Sequence, residues 1–164
     1  MQYEIGPIRP PSESQSLLIR VTRGCHWNKC KFCGLYKNCK FSMRSQKDIL
    51  GDIKKAGEIY KNRRFTSCFL QDSDAFVLST NKLLPIVEAI KSEFPEINYI
   101  TSYARADSIL RKNLSEMKEL KDAGLNHLYC GMESGSDHVL KLVNKGSTGE
   151  QMKEAGIISE RCKG

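Results

Sequence analysis

Residues 17–33 read LLIRVTRGCHWNKCKFC: an apolar run, Leu17, Leu18, Ile19 and Val21, passes through Gly24 directly into three cysteines, Cys25, Cys30 and Cys33. A short apolar run bounded by glycine reads as a buried strand, and Gly24 opens a loop that continues to about Met43. Downstream the strand-then-helix pattern recurs. Ser45 with Asp48 three residues on resembles a helix start, and Ile49, Ile53, Ala56 and Tyr60 follow at helical spacing. Phe65 to Leu70 predicts a second strand ending at Gln71-Asp72-Ser73-Asp74. Thr80 is expected to cap a helix with an apolar face of Leu84, Val87, Ile90 and Phe94, closed by Pro95. Ile97 to Tyr103 predicts a third strand, and Leu114, Met117 and Leu120 a helix stopped by Gly124. His127 to Met132 reads as the fourth strand, Asp137 to Val143 as a short helix and Thr148 to Cys162 as a last one. Residues 1–15, with Gly6, Pro7, Pro10 and Pro11, read as an irregular lead-in to a domain over residues 16–164.

Strict alternation of strands and helices implies parallel strands joined by right-handed crossovers, hence an α/β layered or barrel-like fold. Such folds place their sites at the carboxyl ends of the strands. That rule selects Cys25 to Cys33 after the first strand, Asp72, Ser73 and Asp74 after the second, Ser102 and Arg105 after the third, and Glu133 after the fourth.

The 164 residues are 40% hydrophobic and 27% charged, with 12 glycines, which excludes a disordered tail, a collagen-like repeat and a coiled coil. No apolar run approaches the roughly 20 residues of a membrane span, and no secretory signal is visible, so a cytoplasmic setting is expected. Seven cysteines at 25, 30, 33, 39, 68, 130 and 162 then favour metal ligation over disulfides. The net charge is +7, and Arg20 to Arg64 carries thirteen Lys and Arg against Asp48, Asp52 and Glu58. Such a patch suits nucleic acid, an anionic small ligand or an anionic metal cluster, and charge alone does not choose among them.

Close thiols on a short loop are what a metal site uses, because one loop then wraps one ion or cluster. Three cysteines with an open position suit a [4Fe–4S] cluster. Four, counting Cys39, suit zinc or a closed cluster.

The segment Gly24-Cys25-His26-Trp27-Asn28-Lys29-Cys30-Lys31-Phe32-Cys33 resembles the cluster loop of the radical S-adenosylmethionine (radical SAM) superfamily, with four residues in the first gap where three are usual and Phe32 as the aromatic before the last cysteine. Gly131-Met132-Glu133-Ser134-Gly135-Ser136-Asp137, with Leu140-Lys141 and Asn144-Lys145-Gly146, resembles the fourth-strand segment of several branches of that superfamily. The likeness runs from about Leu17 to Gly146. It implies a partial TIM-type (β/α) barrel, of which this chain supplies about four of the usual six units. Residues 16–164 would then be the N-terminal part of a longer core, or a pared-down core whose open sheet edge is covered by a C-terminal remainder or a partner chain.

The resemblance further implies a [4Fe–4S] cluster on Cys25, Cys30 and Cys33, whose open iron takes S-adenosylmethionine. An electron from a donor such as flavodoxin or ferredoxin cleaves it to a 5′-deoxyadenosyl radical, which abstracts hydrogen from a substrate. By the same resemblance Phe32 packs near the adenine, Asp72, Ser73 and Asp74 meet the methionine amino group, Arg105 its carboxylate, and Ser102 and Glu133 the ribose hydroxyls. Each also has a plainer reading: Asp72 and Asp74 as turn caps, Arg105 as a surface cation, Glu133 as a cap of the fourth helix. His26, His127 and His138 read as structural or surface residues, Trp27 as a packing anchor, and Cys68 and Cys130 as small buried hydrophobes. Two other functions fit parts of the sequence. A zinc-stabilised nucleic-acid-binding module would use all four early cysteines and the basic patch, and a non-catalytic iron–sulfur protein would keep the cluster without the chemistry.

Overall fold

The computed structural model describes residue 6 and residues 8–162. Four parallel strands form one sheet in the order of the chain: β1 (Leu17–Arg20), β4 (Ser67–Gln71), β5 (Tyr99–Ala104) and β6 (Leu125–Cys130). Each crossover carries helix: α1 (Gln46–Ile59) between β1 and β4, α2 (Thr80–Glu93) between β4 and β5, and α3 (Ala106–Leu110) with α4 (Leu114–Ala123) between β5 and β6. After β6 come α5 (Asp137–Leu142) and α6 (Gly149–Arg161). This is the expected α/β arrangement of a partial barrel. The register sets Leu17 against Cys68 and Ile19 against Leu70, so one face of the sheet is a continuous apolar layer. Ile49 and Ile53 of α1, Leu83, Ile86, Val87 and Ile90 of α2, and Met117 and Leu120 of α4 pack in the same core. The opposite face carries Phe69, Tyr103 and Tyr129, with Tyr103 edge-on to Phe69 at 5.2 Å and to Tyr129 at 6.0 Å. Period-two alternation thus separates a helix-facing core from an aromatic inner face.

Local chemistry explains the element ends. Ser45 caps α1 by accepting the Asp48 N–H, and Asn113 and Glu116 form a capping box on α4. Gly124, at φ 121°, lets the chain turn from α4 into β6.

Several expectations shift. The cap of α2 is Ser79, with Thr80 already helical, and its buried face uses Leu83 where Leu84 was expected. Phe65 precedes β4 and packs edge-on to Tyr60 and Phe94. Cys130 is exposed on the open edge of β6, because no further strand pairs there among the described residues, so it is not the buried hydrophobe expected. Cys68 and Cys162 are buried. The lead-in is not wholly irregular: Pro11–Glu13 is a 3-10 turn, and Glu13, 1% exposed, accepts the Tyr129 hydroxyl at 2.8 Å. Residues 1–5 and 7 of that lead-in lie outside the described residues. Three short elements had no sequence signal. The antiparallel pair β2 (Thr22–Arg23) and β3 (Ser42–Met43) closes the cysteine loop at its base, and the five-residue α3 follows β5 directly.

Among the described residues no helix is long and apolar enough to cross a membrane.

Candidate functional site

The cysteine loop lies at the carboxyl end of β1, and the segments after β4, β5 and α5 hold it. Asp72 accepts the Gly24 N–H at 2.9 Å and stands 3.7 Å from Arg20. Ser73 donates to the Gly24 carbonyl at 2.9 Å. Gly24 needs to be glycine: its φ is +75°, and a Cβ would lie 3.1 Å from the Cys39 sulfur. Asp72 and Ser73 therefore both bind the residue before Cys25, and Asp74, also read as a turn cap, makes no side-chain cap bond to the short helical turn that follows it. Asp72 itself adopts φ 79°, a left-handed backbone in which few residues other than glycine are found.

One residue further, His26 bridges two carboxylates. Its Nδ1 is 3.4 Å from Asp74 and its Nε2 3.2 Å from Asp107. Asp74 is fully buried, accepts the Ser108 hydroxyl at 2.5 Å through one oxygen, and has no hydrogen-bond partner among the described residues for the other. Burial pushes its pKa up to about 6, against the opposing pull of Ser108 and His26. Burial also acts on Asp107, but hydrogen bonds and charges from His26 and Arg105 outweigh it and bring the pKa down to about 2. A carboxyl whose folded pKa is raised holds its proton more readily when folded. Asp74 therefore contributes most to stability below its unfolded pKa of about 4 and loses that contribution as the pH climbs through 6. We expect Asp74→Asn to flatten this slope: urea midpoints at pH 4.5 and 7 should converge relative to the parent, and an unchanged difference would refute the assignment.

Arg105 is buried rather than a surface cation. Its Nε donates to Asp107 at 2.9 Å and its Nη2 to the Lys145 carbonyl at 3.0 Å. Glu133 follows β6 at φ 60° and accepts Lys145 Nζ at 3.0 Å; Ser136, not Glu133, is the N-cap of α5. Lys145 Nζ also lies 6.0 Å from the centre of the exposed Phe32 ring, so two residues far apart in sequence meet at one ammonium. Ser102 is buried, donates its hydroxyl to the Tyr103 carbonyl, and shares its strand face with Ile100 and Ala104.

Sequence reasoning did not single out Tyr36, Asp107 or Lys145. Tyr36 is buried, and its hydroxyl has no hydrogen-bond partner among the described residues. Its own burial, and then the neighbouring Asp72, raise its pKa. No periodic pattern marks a single tyrosine in a loop. His127 lies exposed against Tyr99 at 5.3 Å, and His138 is exposed.

The three thiols sit on this tethered loop, Cys30 buried and Cys25 and Cys33 half-buried. The Asn28 N–H donates to the Cys25 sulfur at 3.3 Å. Among the described residues no three His, Cys, Asp or Glu side chains are arranged around one point as a single ion requires. A four-iron cluster takes each thiolate on a different iron, so three cysteines on one loop without a fourth convergent donor fit it by their chemistry.

Among curated proteins, the chain is 25% identical over 154 residues to 4′-phospho-dehydrooxetanocin synthase of Priestia megaterium, covering 83% of this chain and 20% of that protein. It is 27% identical over 142 residues to an uncharacterized methyltransferase of Pyrococcus horikoshii, covering 84% and 28% respectively. It is 24% identical over 158 residues to bacteriochlorophyllide d C-8(2)-methyltransferase of Chlorobaculum tepidum, covering 90% and 32%. The chain thus spans 20% to 32% of the length of these relatives. In fold it is similar to a cobalamin-dependent S-adenosylmethionine radical enzyme with aqua-cobalamin bound, with a TM-score of 0.64 and 24% identity over 90% of this chain and 22% of that one. It is also similar to coproporphyrinogen III oxidase of Escherichia coli, a radical SAM enzyme, with a TM-score of 0.62 and 18% identity over 89% and 34%. Enzymes of this kind use a [4Fe–4S] cluster and S-adenosylmethionine. Residues 19–157 match the family model described as the Radical SAM superfamily, and the chain belongs to that superfamily.

Proposed function

We propose that this chain is the cluster-holding part of a radical SAM enzyme that abstracts hydrogen from a substrate, with Cys25, Cys30 and Cys33 as the cluster ligands. The observation that carries the reading is the tethering of the three-thiol loop to the segments that follow β4, β5 and α5, through Asp72 and Ser73, His26 with Asp74 and Asp107, and Lys31 to Val143. A purely structural loop would have little reason to collect buried carboxylates around thiols.

When bound, the cluster supplies one electron for reductive cleavage of S-adenosylmethionine. The protein's own groups then divide the remaining work. The Asn28 N–H stabilises the Cys25 thiolate, and exposed Lys29, Lys31, Lys37 and Lys40 place positive charge around an anionic cluster and toward a reductant such as flavodoxin or ferredoxin. The unpartnered oxygen of Asp74 offers an acceptor to the methionine ammonium. Phe32 and Glu133, brought together at Lys145, offer a ring face and a carboxylate to adenosine. Arg105 and Ser102 would meet the ligand alongside the bonds they make here, since a guanidinium carries five N–H donors and a donating hydroxyl still accepts, and Asp72 and Ser73 serve it indirectly by holding Gly24. Further strands or a partner chain over the β6 edge belong to the same proposal.

The test is anaerobic reconstitution with iron and sulfide, followed by electron paramagnetic resonance of the reduced protein with and without S-adenosylmethionine. A [4Fe–4S] signal that shifts on adding S-adenosylmethionine is the expected result. A signal that does not respond would leave an iron–sulfur protein without this chemistry. Stoichiometric zinc with no cluster would favour the nucleic-acid module.

A further inference from the structure

Trp27 lies in the first cysteine gap, between Cys25 and Cys30, and its ring is held from a distant part of the chain. The indole N–H donates to the Asn144 carbonyl at 2.8 Å. The flanking loop bonds to the same segment: the Lys31 N–H donates to the Val143 carbonyl at 2.9 Å, and the Asn144 side-chain amide donates to the Lys29 carbonyl at 3.2 Å. Arg105 stands 5.4 Å from the ring centre while its Nη2 holds the Lys145 carbonyl. The segment is shaped to receive the ring. Asn144 and Gly146 are left-handed, at φ 54° and 77°, and a Cβ on Gly146 would lie 2.3 to 2.7 Å from three indole atoms.

We infer that residues 143–146 form a socket that positions the cysteine loop through Trp27, so that the segment joining α5 to α6 sets how firmly the chain retains a cluster. The second clause rests on the function proposed above, whereas the socket itself does not. The loop is closed at its base by the β2–β3 pair and held at Gly24 and His26, and without the further anchor at Trp27 the stretch that carries Cys30 and Cys33 would have to be ordered as metal binds. Ordering costs conformational entropy at every backbone residue fixed. An anchor between the first two cysteines removes much of that cost beforehand, which is preorganisation. Gly146 is the point of failure, because a methyl there meets a rigid ring already fixed by its own hydrogen bond, and because alanine strains a left-handed backbone.

The test uses the full chain, metal-free and reconstituted. In metal-free Gly146→Ala, hydrogen exchange over residues 25–33 should rise while β4 and β5 keep their protection. In the reconstituted variant, iron loss to a chelator should quicken by about tenfold or more, the range found for groups that orient metal ligands, and the resonance signature of the reduced cluster should change. Trp27→Phe removes the N–H bond and makes room, so the double variant should fall short of the sum of the two effects and keep, beyond Trp27→Phe, only the backbone strain at residue 146. Exchange and iron loss at parental rates in Gly146→Ala, or strictly additive effects in the double variant, would overturn the inference. If Gly146→Ala does not fold, Trp27→Phe alone must still raise loop exchange, and parental exchange there overturns the inference as well. If no form of the chain takes up a cluster, the functional reading fails while the exchange experiment still decides the socket.

Discussion

Replacing any one of Cys25, Cys30 or Cys33 by alanine should reduce iron and sulfide after anaerobic reconstitution to background and abolish cleavage of S-adenosylmethionine, while the metal-free variants keep the parental circular dichroism. Each thiolate bonds its own iron, so no remaining ligand compensates for a missing one. Nor is a substitute at hand. Cys68 is fully buried in the core, where burial pushes its thiol well above the usual range, and Cys162 is buried as well. Cys130 lies at the end of β6, on the exposed edge. Cys39 is the informative control. Its sulfur packs where a Cβ on Gly24 would stand and lies 3.8 Å from the Lys40 carbonyl, so Cys39→Ala should retain the full iron complement. If Cys39→Ala lost metal as completely as the other three, all four thiols would be ligands and the site would be a closed cluster or a zinc site with no open iron. Full iron in Cys30→Ala would show that the ligands are misassigned.

Arg105→Ala should destabilise the metal-free protein by about 2–4 kcal/mol, because it strips a buried cation from a carboxylate held in place by it. Arg105 is 8% exposed and donates to both Asp107 and the Lys145 carbonyl. Its loss would leave Asp107 facing His26 and the more distant Arg111, and would free the segment that seats Trp27. Arg105→Lys should fall well short of rescue, since an ammonium does not reproduce the planar fork that reaches two acceptors at once. Urea denaturation of both variants without metal makes the measurement. Parental stability combined with a selective loss of S-adenosylmethionine affinity would instead mean that Arg105 is reserved for the ligand carboxylate, as its position after the third strand first suggested.

Much of the fold was legible because its signals are local and repeated. The apolar runs at Leu17, Phe65, Ile97 and His127 each lead to a strand, and helical spacing at Ile49, Val87 and Met117 marks the helices that cover it. Alternation of the two then dictates parallel pairing through the right-handed crossover. Elements too short to hold a period escaped: two residues in each of β2 and β3, and five in α3. Cys130 was misplaced for a related reason, since composition marks a residue as apolar but the open edge of β6 decides which side of it meets solvent.

For the site, sequence alone determined the thiol spacing, the glycine before it and the set of polar strand ends, because each is written in consecutive residues. Only the tertiary structure decided what those residues do to one another. Asp72 reaches back across 48 positions to Gly24, His26 finds Asp107 across 81, and Trp27 finds Asn144 across 117. Such pairings depend on which strand ends the sheet brings side by side. They are products of crossover geometry and packing, and no local pattern encodes a contact whose two halves are set by the closure of the whole layer.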